Sequence, residues 1–474
     1  MSNFVFYDFE TSSSNKFWGQ IIQVGAILTN DNLEELDRYE ARCRLSPSII
    51  PEAMALIVNK SSPQMLKGAN LSHYEMIREF VEILKSWGKS TFIGFNNIDF
   101  DEEFLRNTLF QTLEYPYLTS TNGNNRGDLL NLARAANLYY PNTLKNPTSE
   151  KGNAVYKLDK MAPLNGIEHS DAHSAIGDVI ATLGVAKIIS NKAPSVWKAS
   201  YLTINKDLTL DIIKKELYFC TNEYFYGKSR PYVQAFVCQH PKYKWPKCFD
   251  LRQDPNIYLN MSVDELKVAM SKNPKFLRTV RHNKHPIIMN PSYGNKFDEY
   301  KIIGEEKLIT RAKLVKENKQ FAKKISLILQ EEAEEKEQIK SQEDIYEEES
   351  IYTQFTSAED NKIMPEFHQT KEWEKKLKVL DRLKDERLHY FGKRLIYEEK
   401  PEILPKPEYN QIKRMIAKRL LSTNAEKWNT IPRTYSEIDT LREKFEREGQ
   451  PERLRILDEI NGYIEEMEKV YSAA

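Results

Sequence analysis

Three short segments of the chain carry acidic residues that could hold a divalent metal ion. Asp8 and Glu10 lie in FYDFET at the end of a predicted strand, where side chains two positions apart project from the same face. Asp101 follows a second predicted strand in GFNNIDFDEEF, and HSDAHSAIGDV places His173 five residues before Asp178 at the start of an apolar helix. Carboxylates are the ligands that Mg²⁺ and Mn²⁺ prefer, and imidazole titrates near neutral pH. We therefore predict a metal site of four acids with His173 beside it as a proton acceptor.

The elements that would position these residues alternate between strand and helix. We assign Asp99, Glu102 and Glu103 to ordinary acids at a helix N-terminus, where negative charge interacts favourably with the helix dipole. Three strands in a meander, a fourth strand and four covering helices predict an α/β domain. The predicted strands are Phe4–Phe9, Ile21–Thr29, Leu36–Leu45 and Thr91–Phe95, and the predicted helices are Tyr74–Trp87, Glu102–Leu113, Leu129–Leu138 and Ser174–Ile189.

The remainder of the chain changes character twice. From about 195 to 345 aromatic and basic residues alternate, which predicts a β-rich module with a hairpin around Gln239–Pro246, followed by helices. We interpret the acidic run Glu331–Glu349 as a solvated helix end and linker. Beyond it the apolar spacing predicts four amphipathic helices, with a proline-rich break at Pro401–Pro407. These helices are Trp373–Tyr390, Gln411–Ser422, Tyr435–Arg447 and Pro451–Tyr471.

Composition restricts the class of protein. The 474 residues include 69 Lys and Arg against 69 Asp and Glu, so nucleic-acid binding would need a local basic surface rather than bulk charge. The mean hydropathy of −0.62 and the absence of a basic segment before an apolar one at the start predict a cytoplasmic protein without a signal peptide. The four cysteines lack CxxC pairing, which predicts free thiols, and Cys238, His240 and Cys248 are too irregularly spaced for a zinc site.

The order of the acidic motifs resembles the DEDD superfamily of 3′ to 5′ exonucleases, in its histidine-containing branch. The matching residues are D-x-E-T from Asp8, N-x₃-D from Asn97 to Asp101, and H-x₄-D from His173 to Asp178. The wider chain resembles the bacterial exonuclease I family. That resemblance implies a ribonuclease H-like exonuclease domain with a mixed sheet and covering helices (1–192), an SH3-like β-rich domain (193–348) and an all-helical C-terminal domain (349–474).

The resemblance also implies a mechanism and a set of roles. Asp8 would bridge two Mg²⁺ ions, for which Mn²⁺ would substitute. Glu10 and Asp178 would complete the ion on the nucleophile side, Asp101 would support the other, and His173 would be the general base. The product would be a nucleoside 5′-monophosphate, and Glu10 would also contact the substrate.

The path of the DNA strand is predicted from basic and aromatic residues. Lys157 stands where the family uses an arginine toward the substrate phosphate, and a lysine supplies a point charge without the bidentate fork. Ser12 and Ser13 also stand where family members have an aromatic residue and a glycine. The other predicted contacts are Arg106, Tyr117, Arg230, Lys244, Trp245 and Lys284.

Three interpretations are open. The first, which the resemblance to exonuclease I implies, is an exodeoxyribonuclease that acts on single-stranded DNA in repair and recombination and binds the C-terminal tail of single-stranded DNA-binding protein; we expect it to be a monomer that binds no membrane. The second is a 3′ exoribonuclease of the same superfamily, because the catalytic motif does not distinguish the sugar. The third is a single-strand-binding protein with an inactive site.

Overall fold

The first module of the chain is built on a mixed five-stranded sheet. The structure is a computed structural model that describes residues 3–169, 172–340 and 345–473. The strand order is β3-β2-β1-β4-β5, with β1 to β3 antiparallel and β4 and β5 parallel to β1. The strands are β1 (Asn3–Thr11), β2 (Ile21–Thr29), β3 (Glu35–Arg42), β4 (Ser90–Gly94) and β5 (Asn125–Asp128).

Helices cover this sheet and extend beyond it. The helices of the first module are α1 (Ala53–Val58), α2 (Pro63–Lys67), α3 (His73–Ser86), α4 (Asp101–Gln111), α5 (Leu129–Tyr139), α6 (Leu158–Leu164), α7 (Ala175–Lys192), α8 (Pro194–Tyr201) and α9 (Lys206–Lys215). The four predicted helices of this region are confirmed as α3, α4, α5 and α7, with ends that shift by at most three residues.

The two faces of β1 explain how the sheet presents its acids. Val5, Tyr7 and Phe9 point to one apolar core, while Phe4 and Phe6 point to the other, on which α7 packs. Because side chains alternate along a strand, the second face continues toward the end of β1 with an acid at each alternate position. The first residues of this face therefore pack against α7, and its last residues carry the acids Asp8 and Glu10.

The second module contains an antiparallel five-stranded sheet in the order β10-β6-β7-β8-β9. The predicted hairpin is confirmed, because β7 and β8 pair across the turn that follows Gln239. Its elements are β6 (Phe219–Phe225), β7 (Lys228–Gln239), β8 (Pro246–Asp250), β9 (Leu277–Thr279), β10 (Ile288–Met289), α10 (Val263–Ser271), α11 (Asp298–Lys301), α12 (Glu305–Glu317) and α13 (Lys319–Lys340).

The C-terminal module is helical, as predicted, but one predicted helix is wrong. The segment Trp373–Tyr390 forms two helices, because the Asp385 carboxylate accepts a hydrogen bond from the backbone N–H of Arg387 and starts a new helix there. The helices are α14 (Asp360–Gln369), α15 (Trp373–Leu380), α16 (Glu386–Glu399), α17 (Lys406–Leu420), α18 (Ile431–Arg447) and α19 (Pro451–Ser472). Short 3₁₀ turns lie at Leu118–Ser120, Pro255–Ile257, Pro291–Lys296, Glu347–Tyr352 and Pro401–Ile403.

The acidic run is also not solvated throughout. α13 carries its first half, and residues 341–344 lie outside the described part of the chain. The carboxylate of Glu348, however, is 1% exposed and forms ion pairs with Arg394 and Arg419 at 3.1 and 2.7 Å. The prediction of a solvated linker is therefore wrong for this residue, because the end of the run docks on α16 and α17.

Two of the apolar cores cross the module boundaries. One contains Phe4 and Trp197 of the first module together with Phe249 and Leu329 of the second. Another joins α1 and α4 of the first module to the C-terminal helices. In the described ranges, we find no helix long and apolar enough to cross a membrane.

Candidate active site

Three of the predicted acids converge where α7 crosses the end of β1. One carboxylate oxygen from each of Asp8, Glu10 and Asp178 lies within 4.8 Å of the others. The crossing is close because Gly25, which pairs with Asp8 across β1 and β2, has no side chain. A Cβ atom at this position would lie 2.5 Å from the backbone carbonyl carbon of Ala175 at the start of α7. The glycine therefore lets the helix bring Asp178 over the strand.

Asp101 reaches the same region from the other side of β1. The pairing of β1 with β4 ends at Phe6, so the N–H of Phe9 has no strand partner on that side. The Asp101 carboxylate accepts a hydrogen bond from this N–H at 3.2 Å. The first residue of α4 is thus fixed directly to the strand that carries Asp8 and Glu10.

The electrostatics of the cluster fit a divalent cation. Burial and repulsion by the neighbouring carboxylates raise the pKa of Asp8 well above its ordinary value. Burial, with repulsion by Asp178 and Asp101, raises the pKa of Glu10 to about 8. Burial also raises the pKa of Asp101 to about 8, although its hydrogen bond from Phe9 acts in the opposite direction. Acids that repel one another in this way are stabilised in their charged form by a bound cation, and oxygen ligands at this spacing suit Mg²⁺ or Mn²⁺.

The histidine that contacts Asp178 is not the one that the motif selects. His173 lies in the loop before α7, half-buried, with a left-handed φ of 67°. The Nε2 atom of His169 lies 2.5 Å from the Asp178 carboxylate. Sequence reasoning missed His169, since only the second histidine of HSDAH has the H-x₄-D spacing. The presence of two histidines four residues apart was the available signal.

Arg106 occupies a structural position rather than an open one. Its guanidinium is 11% exposed and donates to the fully buried carboxylate of Glu102 at 3.1 Å, and it also stacks over Tyr117 at 5.2 Å. Glu102 is held further by the Arg126 guanidinium at 3.0 Å and the Tyr7 hydroxyl at 2.9 Å. Glu102 does lie in the first turn of α4, as predicted, but it is buried in an ion-pair network, and the surroundings of Arg106 favour an ion pair over a contact with DNA.

The other predicted contacts with the strand are scattered over the first two modules. Lys157 is exposed and precedes α6, and Tyr117 is half-buried next to Phe355. Arg230 is exposed beside Phe225, while the Lys244 ammonium donates to a backbone carbonyl of its own turn. The remaining two are Trp245, which stacks on Tyr243, and Lys284, which contacts the loop before α4.

A polar cavity of about 550 Å³ lies between the first two modules, next to the loop that precedes α4. Sequence reasoning missed Arg134 in its wall, whose guanidinium lies 3.9 Å from the ring centre of Tyr224. The basic residues of the wall are Arg134, Arg278, Arg281 and Lys284, and its acids are Asp99, Asp128 and Glu223. A single basic residue on a helix carries no signal for such a cavity, because the cavity forms only when the modules meet.

Comparison with protein families identifies both ends of the chain. Residues 5–186 match the family described as Exonuclease, and residues 346–467 match the one described as Exonuclease I C-terminal domain. The chain belongs to the exonuclease I family. The predicted family and the predicted α/β fold with a helical C-terminal module are confirmed. The SH3-like character of the second module and the boundaries at 192 and 348 stay predictions.

Curated relatives align with part of this exonuclease I chain. The exodeoxyribonuclease I of Buchnera aphidicola subsp. Acyrthosiphon pisum is 32% identical over 197 residues, which cover 41% of this chain and 48% of the relative. That of Escherichia coli is 25% identical over 348 residues, 70% of this chain and 73% of the relative. The chain therefore spans about half the length of the first relative and about three quarters of the second.

Solved structures of exonuclease I share the whole fold. The enzyme of Methylocaldum szegediense superposes with a TM-score of 0.82 at 20% identity, over 99% of this chain and 100% of that one. The Escherichia coli enzyme in complex with a dA16 oligonucleotide gives 0.81 at 19% identity, over 98% and 100%. Because these identities are low, the superpositions establish the fold alone.

Proposed function

We propose that this chain is an exodeoxyribonuclease that degrades single-stranded DNA from its 3′ end, releases nucleoside 5′-monophosphates, and acts in DNA repair and recombination. The observation that supports this function best is the cluster of Asp8, Glu10 and Asp178, with Asp101 beside it, on an exonuclease I fold. The family implies use of a divalent metal ion. We propose Mg²⁺, as two ions, with Mn²⁺ as a substitute.

In this proposal the four carboxylates hold the metal and His173 moves the proton. Bound divalent ions neutralise charge on the scissile phosphate and lower the pKa of the attacking water. His173, on the loop before α7, would accept the proton of that water, since imidazole is an effective base near neutral pH. His169 would hold the Asp178 carboxylate in orientation through its Nε2 atom.

The cavity between the modules supports a path for the strand. Its wall combines guanidinium groups, which neutralise phosphates, with the rings of Tyr224 and Phe225, which offer stacking surfaces. Contacts of this kind hold a single strand without sequence preference. We propose that Arg134, Arg278 and Arg281 line this path, with Lys157, Arg230 and Lys284 at its edges.

The test is degradation of 5′-labelled DNA and RNA of one sequence, with Mg²⁺ or with EDTA. We expect a ladder that shortens from the 3′ end of DNA only, absent in EDTA and in an Asp8→Asn protein. The matched control is Asp211→Asn, which changes an exposed acid on α9 and should retain full activity. RNA cleavage at an equal or higher rate would favour the exoribonuclease, and binding without cleavage would favour the inactive binding protein.

We also propose that the protein is a cytoplasmic monomer that binds single-stranded DNA-binding protein through the C-terminal tail of that protein. One solved exonuclease I is in complex with SSB and an inhibitor, which supports an equivalent contact here. Binding of a fluorescent peptide with the tail sequence, with a scrambled peptide as the control, tests the contact. Sedimentation of the purified chain tests the monomer.

A further inference from the structure

We propose that Lys284 and His285 of the second module position the loop that carries Asp101, so that the second module completes the metal site of the first. Both residues lie in the turn between β9 and β10, and both reach into the first module. This inference rests on the proposed function, because it assigns positioning residues to the same site.

His285 is inserted between elements of the first module. Its side chain is buried, its Nδ1 atom accepts a hydrogen bond from the backbone N–H of Asp128 at 2.8 Å, and its Nε2 atom donates to the carbonyl of Ser200 at 3.2 Å. Gly127 makes room for the ring, because a Cβ atom there would lie 3.3 Å from the imidazole. Burial lowers the pKa of His285 to about 4, so the ring is neutral and one nitrogen can accept while the other donates.

Asp128 transmits this contact to the loop before α4. Its buried carboxylate accepts hydrogen bonds from the backbone N–H groups of Asn96 at 3.2 Å and Ile98 at 3.4 Å. Between these two, the carbonyl of Asn97 accepts from the N–H of Glu102 at 2.8 Å. The start of α4, and with it Asp101, is therefore connected to His285 by consecutive hydrogen bonds.

Lys284 holds the same loop from its outer side. Its ammonium donates to the carbonyl of Ile98 at 3.1 Å and pairs with the Asp99 carboxylate at 3.0 Å. The amide of Asn131 on α5 donates to the carbonyls of both Lys284 and His285, at 3.2 and 3.4 Å. The two side chains and their backbone are thus fixed to three parts of the first module.

The geometry separates this role from a contact with DNA. His285 is 2% exposed and both of its ring nitrogens are already bonded, so it cannot reach a strand. Loss of its ring should therefore affect the metal site and the rate of the chemical step, and leave the affinity for DNA unchanged. Removal of a residue that orients a metal ligand typically costs about 10 to 100-fold in metal affinity or activity.

The experiment compares wild-type protein with His285→Gly, with and without added imidazole. For His285→Gly we expect kcat at saturating single-stranded DNA to fall by about 10 to 100-fold, with KM for DNA unchanged. The affinity for Mn²⁺, titrated by electron paramagnetic resonance without DNA, should fall as well. Imidazole should restore both quantities by filling the space that the ring leaves. The matched control is His282→Ala, a histidine of the same turn whose Nδ1 atom has no hydrogen-bond partner within the described residues.

Two results would overturn the proposal: unchanged kcat and Mn²⁺ affinity in His285→Gly, or a higher KM for DNA as the sole change. If His285→Gly does not fold, the exchange Lys284→Met tests the proposal instead. The Lys284 side chain is 26% exposed, so its loss leaves the core intact. Weaker Mn²⁺ binding in that variant would support the proposal, and unchanged binding would refute it. The Mn²⁺ titration needs no turnover, so an inactive wild-type protein would refute the proposed function and not this inference.

Discussion

The exchange Gly25→Ala tests whether the close crossing of α7 over β2 sets the geometry of the site. The added Cβ atom would lie 2.5 Å from backbone atoms of Ala175 and Ile176, whereas ordinary contacts begin at 3.4 Å. The start of α7 must therefore move by about 0.9 Å, because the backbone atoms of Ala175 and Ile176 cannot relieve the overlap by a change of rotamer. Asp178 follows Ile176 by two residues on the same helix and would move with it.

The size of the expected effect follows from this displacement. A misplacement of about 1 Å in a catalytic group costs on the order of 100-fold in rate, or about 2.7 kcal/mol. We expect kcat on single-stranded DNA to fall by that factor and the affinity for Mn²⁺ to fall with it. Overpacking of this kind also costs about 1–3 kcal/mol of stability, so the melting temperature should decrease while the protein stays folded at 25 °C.

The matched control is Gly462→Ala in α19. A Cβ atom at Gly462 would meet nothing within 4 Å, so the exchange should leave kcat unchanged. It should stabilise the helix by up to about 1 kcal/mol, because alanine is the better helix former. A Gly25→Ala protein with the rate and metal affinity of the wild type would refute the reasoning, since α7 would then tolerate the shift without moving Asp178.

Three further predictions concern stability and substrate binding. Because the pKa of Glu10 is raised from 4.5 to about 8, the folded metal-free protein binds more protons there than the unfolded chain does. Its melting temperature in EDTA should therefore fall as the pH rises from about 5 to 8. Glu10→Gln should reduce that fall and abolish activity. An equal dependence of the melting temperature on pH in both proteins would contradict this. Lys157→Arg should lower KM for DNA roughly fivefold by adding a bidentate phosphate contact, and Lys160→Arg, on the helix that follows Lys157, should not. Arg106→Ala should lower the free energy of unfolding, measured in urea, by about 2–3 kcal/mol, since Glu102 would lose one of its two cationic partners and keep Arg126. A higher KM for DNA with unchanged stability would instead indicate that Arg106 contacts the DNA.

The acids of the candidate metal site could be placed on their elements from the sequence, because each lies at the end of a predicted strand or the start of a predicted helix. Asp8 and Glu10 share a face of β1 by alternation, and Asp101 and Asp178 each lie in the first turn of a helix that begins beside the end of β1. The local rule was sufficient for Asp8 and Glu10, whereas the grouping of Asp101 and Asp178 with them was supported by the resemblance to the DEDD motifs. β5, by contrast, is a polar strand of four residues, NRGD, and neither apolar content nor length distinguishes it from a loop.

The contacts between distant segments could not be predicted in this way. Glu348 belongs to an acidic run that is typical of a solvated segment. Its burial is favourable because it forms ion pairs with Arg394 and Arg419 of the C-terminal helices. Arg106 has its acidic partner Glu102 on the same helix, but the burial of that pair depends on Tyr7 and Arg126, which lie in other elements. In each case burial with a partner of opposite charge outweighed the preference of the isolated side chain for water.

The core that joins the first two modules also determines when the first module becomes fully packed during synthesis. The ribosome delivers Phe4 and Trp197 well before Phe249 and Leu329, with which they share that core. Until the later residues emerge, the first module exposes apolar surface to chaperones and proteases, and the imidazole that fixes the loop of Asp101 is absent. A product that ended before Phe249 would therefore carry Asp8, Glu10, Asp101 and Asp178 but lack both the remainder of this core and His285.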